Sequence, residues 1–508
     1  MTSFFLLTGG PCEGIPTSIQ QRRFMQLLRQ YAALPGRFST PLKSRPFRAP
    51  GIIGLNAPLA TALGLSPEWL KSPAGISLLS HGLRPDGHSP VAMAYAGHQF
   101  GHFVPSLGDG RAMLVGEIQD AQGKLWDLHL KGSGPTPFSR RGDGHAALGP
   151  VLREYIVSEA MAALGIPTTR ALAALTTGED VLRETLVPGG VIARIASSHV
   201  RVGTFQYFAA RGDQASLRVL TDHVIGRLYP DLATSINRAL ALLEAVVERQ
   251  ARLIAQWMLV GFIHGVMNTD NMSIAGETID FGPCAFLDAY DPGKVFSFID
   301  QNGRYSYGQQ PDMALWNLGR LAEALLPCID PDTDSAVTMA TAALTRFDQI
   351  FGETYLSGWR QKLGLMTEQK ADTTLISRLL TLMHRDEADL TLTFRLLYSA
   401  VRTGDTSDVL TLFNDQTAAT VWLQDWQHRL KKENVSAEER AQAMRIVNPR
   451  IIPRNHQIEA VITAAMSGNY APFHRLTEAL SHPFDDADDG FDQPPAQHER
   501  VRNTFCGT

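Results

Sequence analysis

The segment HGVMNTDNMSIAGETIDFG (264–282) concentrates groups able to do chemistry. Asn271 and Asp280 are hard oxygen donors nine positions apart. Two such donors, with phosphate oxygens completing the shell, are the usual way of holding Mg²⁺. Asp270, beside the Asn, is a carboxylate able to accept a proton. A polar loop capping the preceding helix would account for N-T-D-N alone, but it would not call for the D-F-G that follows. Upstream, Lys131 closes an alternating run and Glu154 follows 23 positions later. With only nine Lys against 37 Arg in the chain, a lysine so placed stands out. Two Gly-Asp-Gly turns with adjoining arginines, at 107–111 and 140–144, offer backbone N–H groups and charge to an anion. As turns alone they would be unremarkable.

These groups need elements that bring 131, 154 and 264–282 together. Residues 112–118 and 125–131 read as two strands around a polar turn. In the second, Trp126, Leu128 and Leu130 alternate with Asp127, His129 and Lys131, giving one core face and one polar face. The spacing of Val151, Glu154, Ser158 and Met161 predicts a helix over 150–164. Further strands are expected at 171–176, 184–187 and 191–195, a long helix at 235–260, a short hairpin at 272–279, and helices throughout 310–475. A short helix is expected at 56–63. The expected order is an irregular N-terminal arm (1–90), a β-rich lobe (91–219), a helical lobe with the chemical segment (220–330), a helical extension (331–480) and an acidic linker with tail (481–508). A cleft between two such lobes is a common nucleotide site.

Composition narrows the classes. A length of 508 residues exceeds one ordinary core, and 19% charged residues argue against disorder. The net charge of −5 argues against a nucleic-acid coat. The four cysteines, at 12, 284, 328 and 506, contain no C-x-x-C pair. No apolar run reaches the ~18 residues of a membrane helix. The longest, 257–267, is broken by His264. The N-terminal apolar patch lacks a basic flank, so a cytoplasmic protein is expected. His98, His102, His145 and His199 read as structural hydrogen-bonding groups, the aromatics near 204–208 as core, and the acidic stretch 485–492 as solvated linker.

Protein kinases carry H-R-D-L-x-x-x-N followed by D-F-G. Here His264 and Asn271 stand at the His and Asn positions, and Asp280-Phe281-Gly282 supplies D-F-G. Lys131 and Glu154 match the strand Lys and the helix Glu that orients it. Two features depart. Val266 stands where the catalytic Asp is expected, and an aliphatic side chain accepts no proton. Neither G-x-G-x-x-G nor G-x-x-x-x-G-K-[ST] occurs.

Six longer segments resemble the SelO family, also called YdiU: YAGHQFGHFVPSLGDGRA (95–112), LHLKGSGPTPFSRRGDG (128–144), RIASSHVRVGTF (194–205), HGVMNTDNMSIAGETIDFGPCAF (264–286), QPDMALWNLGRLAEAL (310–325) and NPRIIPRNHQIEAVI (448–462). The resemblance runs over nearly the whole chain. It implies an α+β, protein-kinase-like two-lobed fold that binds ATP in a flipped orientation. The implied activity is transfer of AMP from ATP, or of UMP from UTP, to Ser, Thr or Tyr hydroxyls of proteins, with Mg²⁺ or Mn²⁺ and release of pyrophosphate. Gly108, Gly110, Arg111, Lys131, Asp143, Gly144, Arg194, Arg201 and Asp280 match the family's nucleotide-binding set. Asp270 matches its base, and Asn271 and Asp280 its metal ligands. Glu154 is the ion-pair partner of Lys131. The family also implies a redox disulfide between Cys284 and the C-terminal Cys506. Nucleotide and protein substrates are the expected partners of a monomer, with no nucleic acid or membrane. A divergent kinase transferring the γ-phosphate and a non-catalytic ATP-binding scaffold are the alternatives.

Overall fold

A computed structural model describes residues 26–487 and 490–505. Its β portion is one antiparallel sheet in the order β1-β3-β6-β7-β10-β9-β2, with β8 paired to β10. The strands are β1 (Ser39–Pro41), β2 (Gly51–Leu55), β3 (Val91–Met93), β6 (Ala112–Gln119), β7 (Leu125–Lys131), β8 (Ala146–Ala147), β9 (Arg170–Leu182) and β10 (Leu186–Ala196). A separate small hairpin joins β4 (Gly97–Gln99) to β5 (His102–Val104). The segment expected to be an irregular arm therefore supplies both edge strands, β1 and β2. Three short helices follow, α1 (Ala57–Ala62), α2 (Pro67–Leu70) and α3 (Pro73–His81), capped by Asn56, Ser66 and Ser72 with proline in each first turn. The strands expected at 171–176, 184–187 and 191–195 are one long hairpin. A register shift between Pro188 and Gly190 absorbs the residues that looked like a break.

β7 keeps its alternation, but from Asp127 to Lys131 both of its faces are buried. Leu128 and Leu130 pack into one apolar cluster, while Asp127, His129 and Lys131 form a buried polar row on the other side. Helix α4 (Leu148–Ala163) lies against β9 and β10 and turns Val151, Glu154, Ser158 and Met161 inward, as the spacing predicted.

The remainder is helical. α5 (Val202–Ala209) and α6 (Gln214–Leu228) precede α7 (Arg238–Val260), which Asn237 caps and Gly261 ends in the left-handed region at φ 76°. That end delivers the chain through β11 (Phe262–Ile263), paired with β12 (Ala285–Phe286), into and out of 264–282. The hairpin expected at 272–279 does not close on itself. Ser273 bridges to Arg201 and Thr278 to Thr168, so each arm is tied to a different element. Helices then run from α8 (Gln310–Ile329) to the last, Ala471–Leu480. None among the described residues is long and apolar enough to cross a membrane. The acidic stretch is not a free linker where it is described. Asp485 pairs with Arg445 at 3.0 Å, Asp486 with Arg395, and the Asp492 carbonyl accepts from Arg454.

Candidate active site

The residues singled out by spacing meet behind the polar face of β7. Lys131 Nζ donates to Glu154 Oε2 at 2.7 Å and to Asp280 Oδ1 at 2.9 Å. Arg194 Nη1 reaches Glu154 Oε1 at 3.1 Å and Asp280 Oδ1 at 2.7 Å, and Arg201 Nη1 reaches Asp280 Oδ2 at 3.0 Å. Sheet register explains the two arginines. Arg194 lies opposite His129 across β10 and β7, on the face that carries Lys131, and Arg201 stands at the N-terminal cap of α5. Three cations thus converge on two carboxylates in a buried setting. Burial alone would raise the pKa of Asp280, but Lys131, Arg194 and Arg201 outweigh it and hold the carboxyl well below its ordinary range. Glu154 is held low by Lys131 and Arg194 against the same burial. Asp280 also sits at φ 65°, a left-handed conformation uncommon for a non-glycine residue.

Asp270 lies beside this cluster, on a short turn, Thr269–Asn271. Its Oδ2 accepts from Gln99 at 3.4 Å, and its Oδ1 is buried without a hydrogen-bond partner among the described residues. Gly97 of β4 makes this fit possible, because a Cβ there would collide with the Asp270 carboxylate. Burial pushes the Asp270 carboxyl up to about 6 despite the nearby Arg201. Asn271 Nδ2 donates to the Val266 carbonyl at 3.0 Å, which fixes the amide and leaves its Oδ1 as the acceptor end. His264 is a structural residue: its Nε2 bonds the Ile279 carbonyl at 2.8 Å, tying the two ends of the segment together.

The glycine loops are built for close approach. Gly108 has φ 60° and faces Phe138 where a Cβ would clash. Gly144, at φ 70°, accepts from Gly134 N at 3.1 Å. Arg111 follows at the start of β6, its carbonyl accepting from Gly132 N. Asp143 stands apart from the ion cluster, at an exposed turn where Arg183 pairs with it at 2.9 Å. Of the four histidines expected to be structural, His199 bonds Asp127 and His98 faces Gln206. Phe205 and Phe208 are core. Cys284 is buried beside Phe281, and Cys506 lies outside the described residues. The tail up to it is docked: Thr504 Oγ1 donates to the Pro283 carbonyl at 2.5 Å and Thr504 N to Phe296 O at 2.7 Å.

The donor set suits a hard cation. Asn271 Oδ1 and the Asp280 carboxylate, once freed from its ion pairs, are oxygen donors, although among the described residues no three His, Cys, Asp or Glu side chains form a ready-made cage. That is the pattern of Mg²⁺ sites completed by substrate phosphates. Sequence reasoning missed Asp109, 3.9 Å from Arg201, Gln99, which donates to Asp270, and Tyr95, whose hydroxyl accepts from Arg201 Nη1 at 3.3 Å. Asp109 lies between two glycines of a loop already singled out, yet nothing in its spacing says that its side chain turns inward.

The family profile described as "Protein adenylyltransferase SelO" matches residues 24–481. The protein nucleotidyltransferase YdiU of Bradyrhizobium sp. (strain ORS 278) is 58% identical over 481 residues, covering 94% of this chain and 98% of that protein. The protein of the same name from Agrobacterium fabrum is 55% identical over 487 residues, covering 95% and 100%. With a profile and full-length relatives matching nearly end to end, the chain belongs to the SelO family of protein adenylyltransferases.

Proposed function

We propose that the chain transfers AMP from ATP to Ser, Thr or Tyr hydroxyls of target proteins, with UMP from UTP as a second donor, and releases pyrophosphate. The observation that carries this reading is the cluster of Lys131, Arg194 and Arg201 on Asp280, beside a buried Asp270 and with Val266 in place of the kinase base. The sheet and the helices after it are read as the two lobes of a kinase-like fold, with this cluster between them. A polyphosphate competes with Asp280 for the three cations. Arg194 and Arg201 take the terminal phosphates, so that pyrophosphate leaves from their side and the α-phosphorus faces the acceptor. Displaced from its cations, Asp280 joins Asn271 in holding the divalent ion. Mg²⁺ or Mn²⁺, when bound, supplies neutralisation of phosphate charge in the transition state. Asp270 accepts the proton of the attacking hydroxyl, and a carboxyl raised toward neutrality is a better base than an ordinary one. Gly108, Gly110, Arg111, Asp143 and Gly144 are assigned to the rest of the nucleotide. The Gly108 and Gly110 N–H groups donate to the Tyr95 and Gly108 carbonyls at 3.1 and 2.8 Å, so these two glycines serve by giving room and not as donors.

Incubation with ATP labelled at the α- or the γ-phosphate tests this directly. Label is expected on protein from α-ATP only. Label from γ-ATP alone would make the chain a divergent kinase, and label from neither, with ATP bound, a scaffold.

A reversible Cys284–Cys506 disulfide is proposed as a redox control, supported by the tail docking at Pro283 through Thr504. Non-reducing peptide mapping of the oxidised protein is expected to recover a linked 284/506 peptide. Its absence, with activity indifferent to dithiothreitol, would remove the switch and leave the transferase reading intact.

A further inference from the structure

Two buried residues outside the candidate set converge on the arginines. Arg194 Nε donates to His129 Nδ1 at 3.2 Å, so that nitrogen carries a lone pair and the ring proton sits on Nε2. Nε2 lies 3.1 Å from Asp109 Oδ2, which also accepts from Met93 N at 3.0 Å. Asp109 Oδ1, with no hydrogen bond among the described residues, stands 3.9 Å from Arg201 Nη2. His199 stacks on His129 with centroids 4.2 Å apart. Burial pulls the pKa of His129 down, and burial with His129 beside it takes that of His199 to about 3, so both rings are neutral. Arg194 spends Nε on His129 and Nη1 on the two carboxylates, and its Nη2 makes no hydrogen bond among the described residues. Asp109 belongs to the 107–111 loop itself, so one carboxylate links that loop to both guanidiniums.

We propose that Asp109 and His129 are positioning residues for nucleotide transfer. Asp109 fixes the His129 tautomer, the Nδ1 lone pair aims the Arg194 guanidinium with Nη2 free for the terminal phosphates, and the second Asp109 oxygen steers Arg201. The inference rests on the reading of Arg194 and Arg201 as holders of those phosphates. Losing a buried hydrogen bond to a charged group weakens binding about tenfold or more.

The test titrates the full chain with ATP, pyrophosphate and AMP. His129→Phe keeps an aromatic ring able to stack on His199, at slightly larger volume, but removes the Nδ1 acceptor together with the Nε2 donor. It is expected to lose about tenfold for ATP and pyrophosphate and less than about twofold for AMP. His129→Asn, which returns an acceptor near the Nδ1 position, is expected to recover most of the loss. Equal losses for ATP and AMP, no loss for pyrophosphate, or no recovery by Asn would overturn the proposal. Ring-¹⁵N spectra of the wild-type protein provide a readout that needs no folded Phe variant. The His129 signal, assigned by its absence from whichever variant folds, must show Nε2 protonated and Nδ1 bare, and the opposite tautomer overturns the proposal. Arg194→Ala separates the two levels. If it weakens ATP and AMP alike, the underlying reading of the arginines fails and the inference falls with it. If it discriminates while the His129 series is flat, positioning alone is wrong.

Discussion

Asp280→Ala is expected to remove nucleotidyl transfer, by about a hundredfold at least, while leaving ATP able to bind. The carboxylate has two roles in the geometry. In the free protein it neutralises Lys131, Arg194 and Arg201 at 2.9, 2.7 and 3.0 Å. In the proposed complex it holds the divalent ion. Deleting it leaves Lys131 and Arg194 with Glu154 and leaves Arg201 with Asp109 only at 3.9 Å, and an unpaired buried charge costs about 3–5 kcal/mol. The free variant should therefore melt earlier, and ATP, whose phosphates replace the missing charge, should restore much of that loss. The same logic predicts that metal-free ATP binds the variant at least as well as wild type, because its competitor for the cations is gone, and that adding Mg²⁺ no longer tightens binding. Asp280→Asn is the cleaner comparison, since Asn tolerates the left-handed φ of 65° better than Ala. Substantial transfer by either variant at saturating Mg²⁺ would contradict the metal assignment. A fall in metal-free ATP affinity would contradict the competition between Asp280 and phosphate.

The parts of this site that could be read from the chain are those whose signals are local. Lys131 ends a strand with strict alternation, Glu154 shares a helical stripe with Val151, Ser158 and Met161, and both spacings survive in β7 and α4. D-F-G and the nearby Asn carried the metal reading by residue type. Arg194 and Arg201 entered only through family resemblance, because a charged residue at a strand end is ordinary until register sets it beside His129 and the cap of α5 turns it toward Asp280. Burial of the polar face of β7 was equally out of reach. Alternation marks Asp127, His129 and Lys131 as polar, but only the partners brought by β10, α4 and α6 make that face an interior. The edge strands β1 and β2 were missed for a different reason. At three and five residues, the first ending on Pro41 and the second preceded by Pro50, they carry too little periodicity to be told from loop. The acidic stretch read as linker because like charges suit solvent. Its partners, Arg395 and Arg445, are far away in sequence.

Asp270→Asn is expected to lower the rate of transfer by about 10²–10⁴, the usual contribution of a general base, with little change in metal-dependent ATP binding. The substitution is nearly isosteric, which matters because Gly97 packs directly on this carboxylate and leaves no room for a larger group. An amide oxygen can keep the hydrogen bond from Gln99 Nε2, and the new NH₂ occupies the position of Oδ1, which has no partner among the described residues. Folding should therefore be close to wild type, and the variant removes basicity with the shape intact. Arg201 bonds Asp270 through the backbone carbonyl at 3.0 Å, so that hydrogen bond does not depend on the side chain that is changed. The expected signature is thus a fall in turnover at constant affinity for nucleotide and metal. A parallel loss of ATP or Mg²⁺ affinity would make Asp270 a ligand, and unchanged turnover would move the base elsewhere. The neighbouring Asn271→Ala should behave in the opposite sense: removing an oxygen donor weakens the metal dependence first, and raising the Mg²⁺ concentration recovers part of the rate, which it cannot do for a missing base.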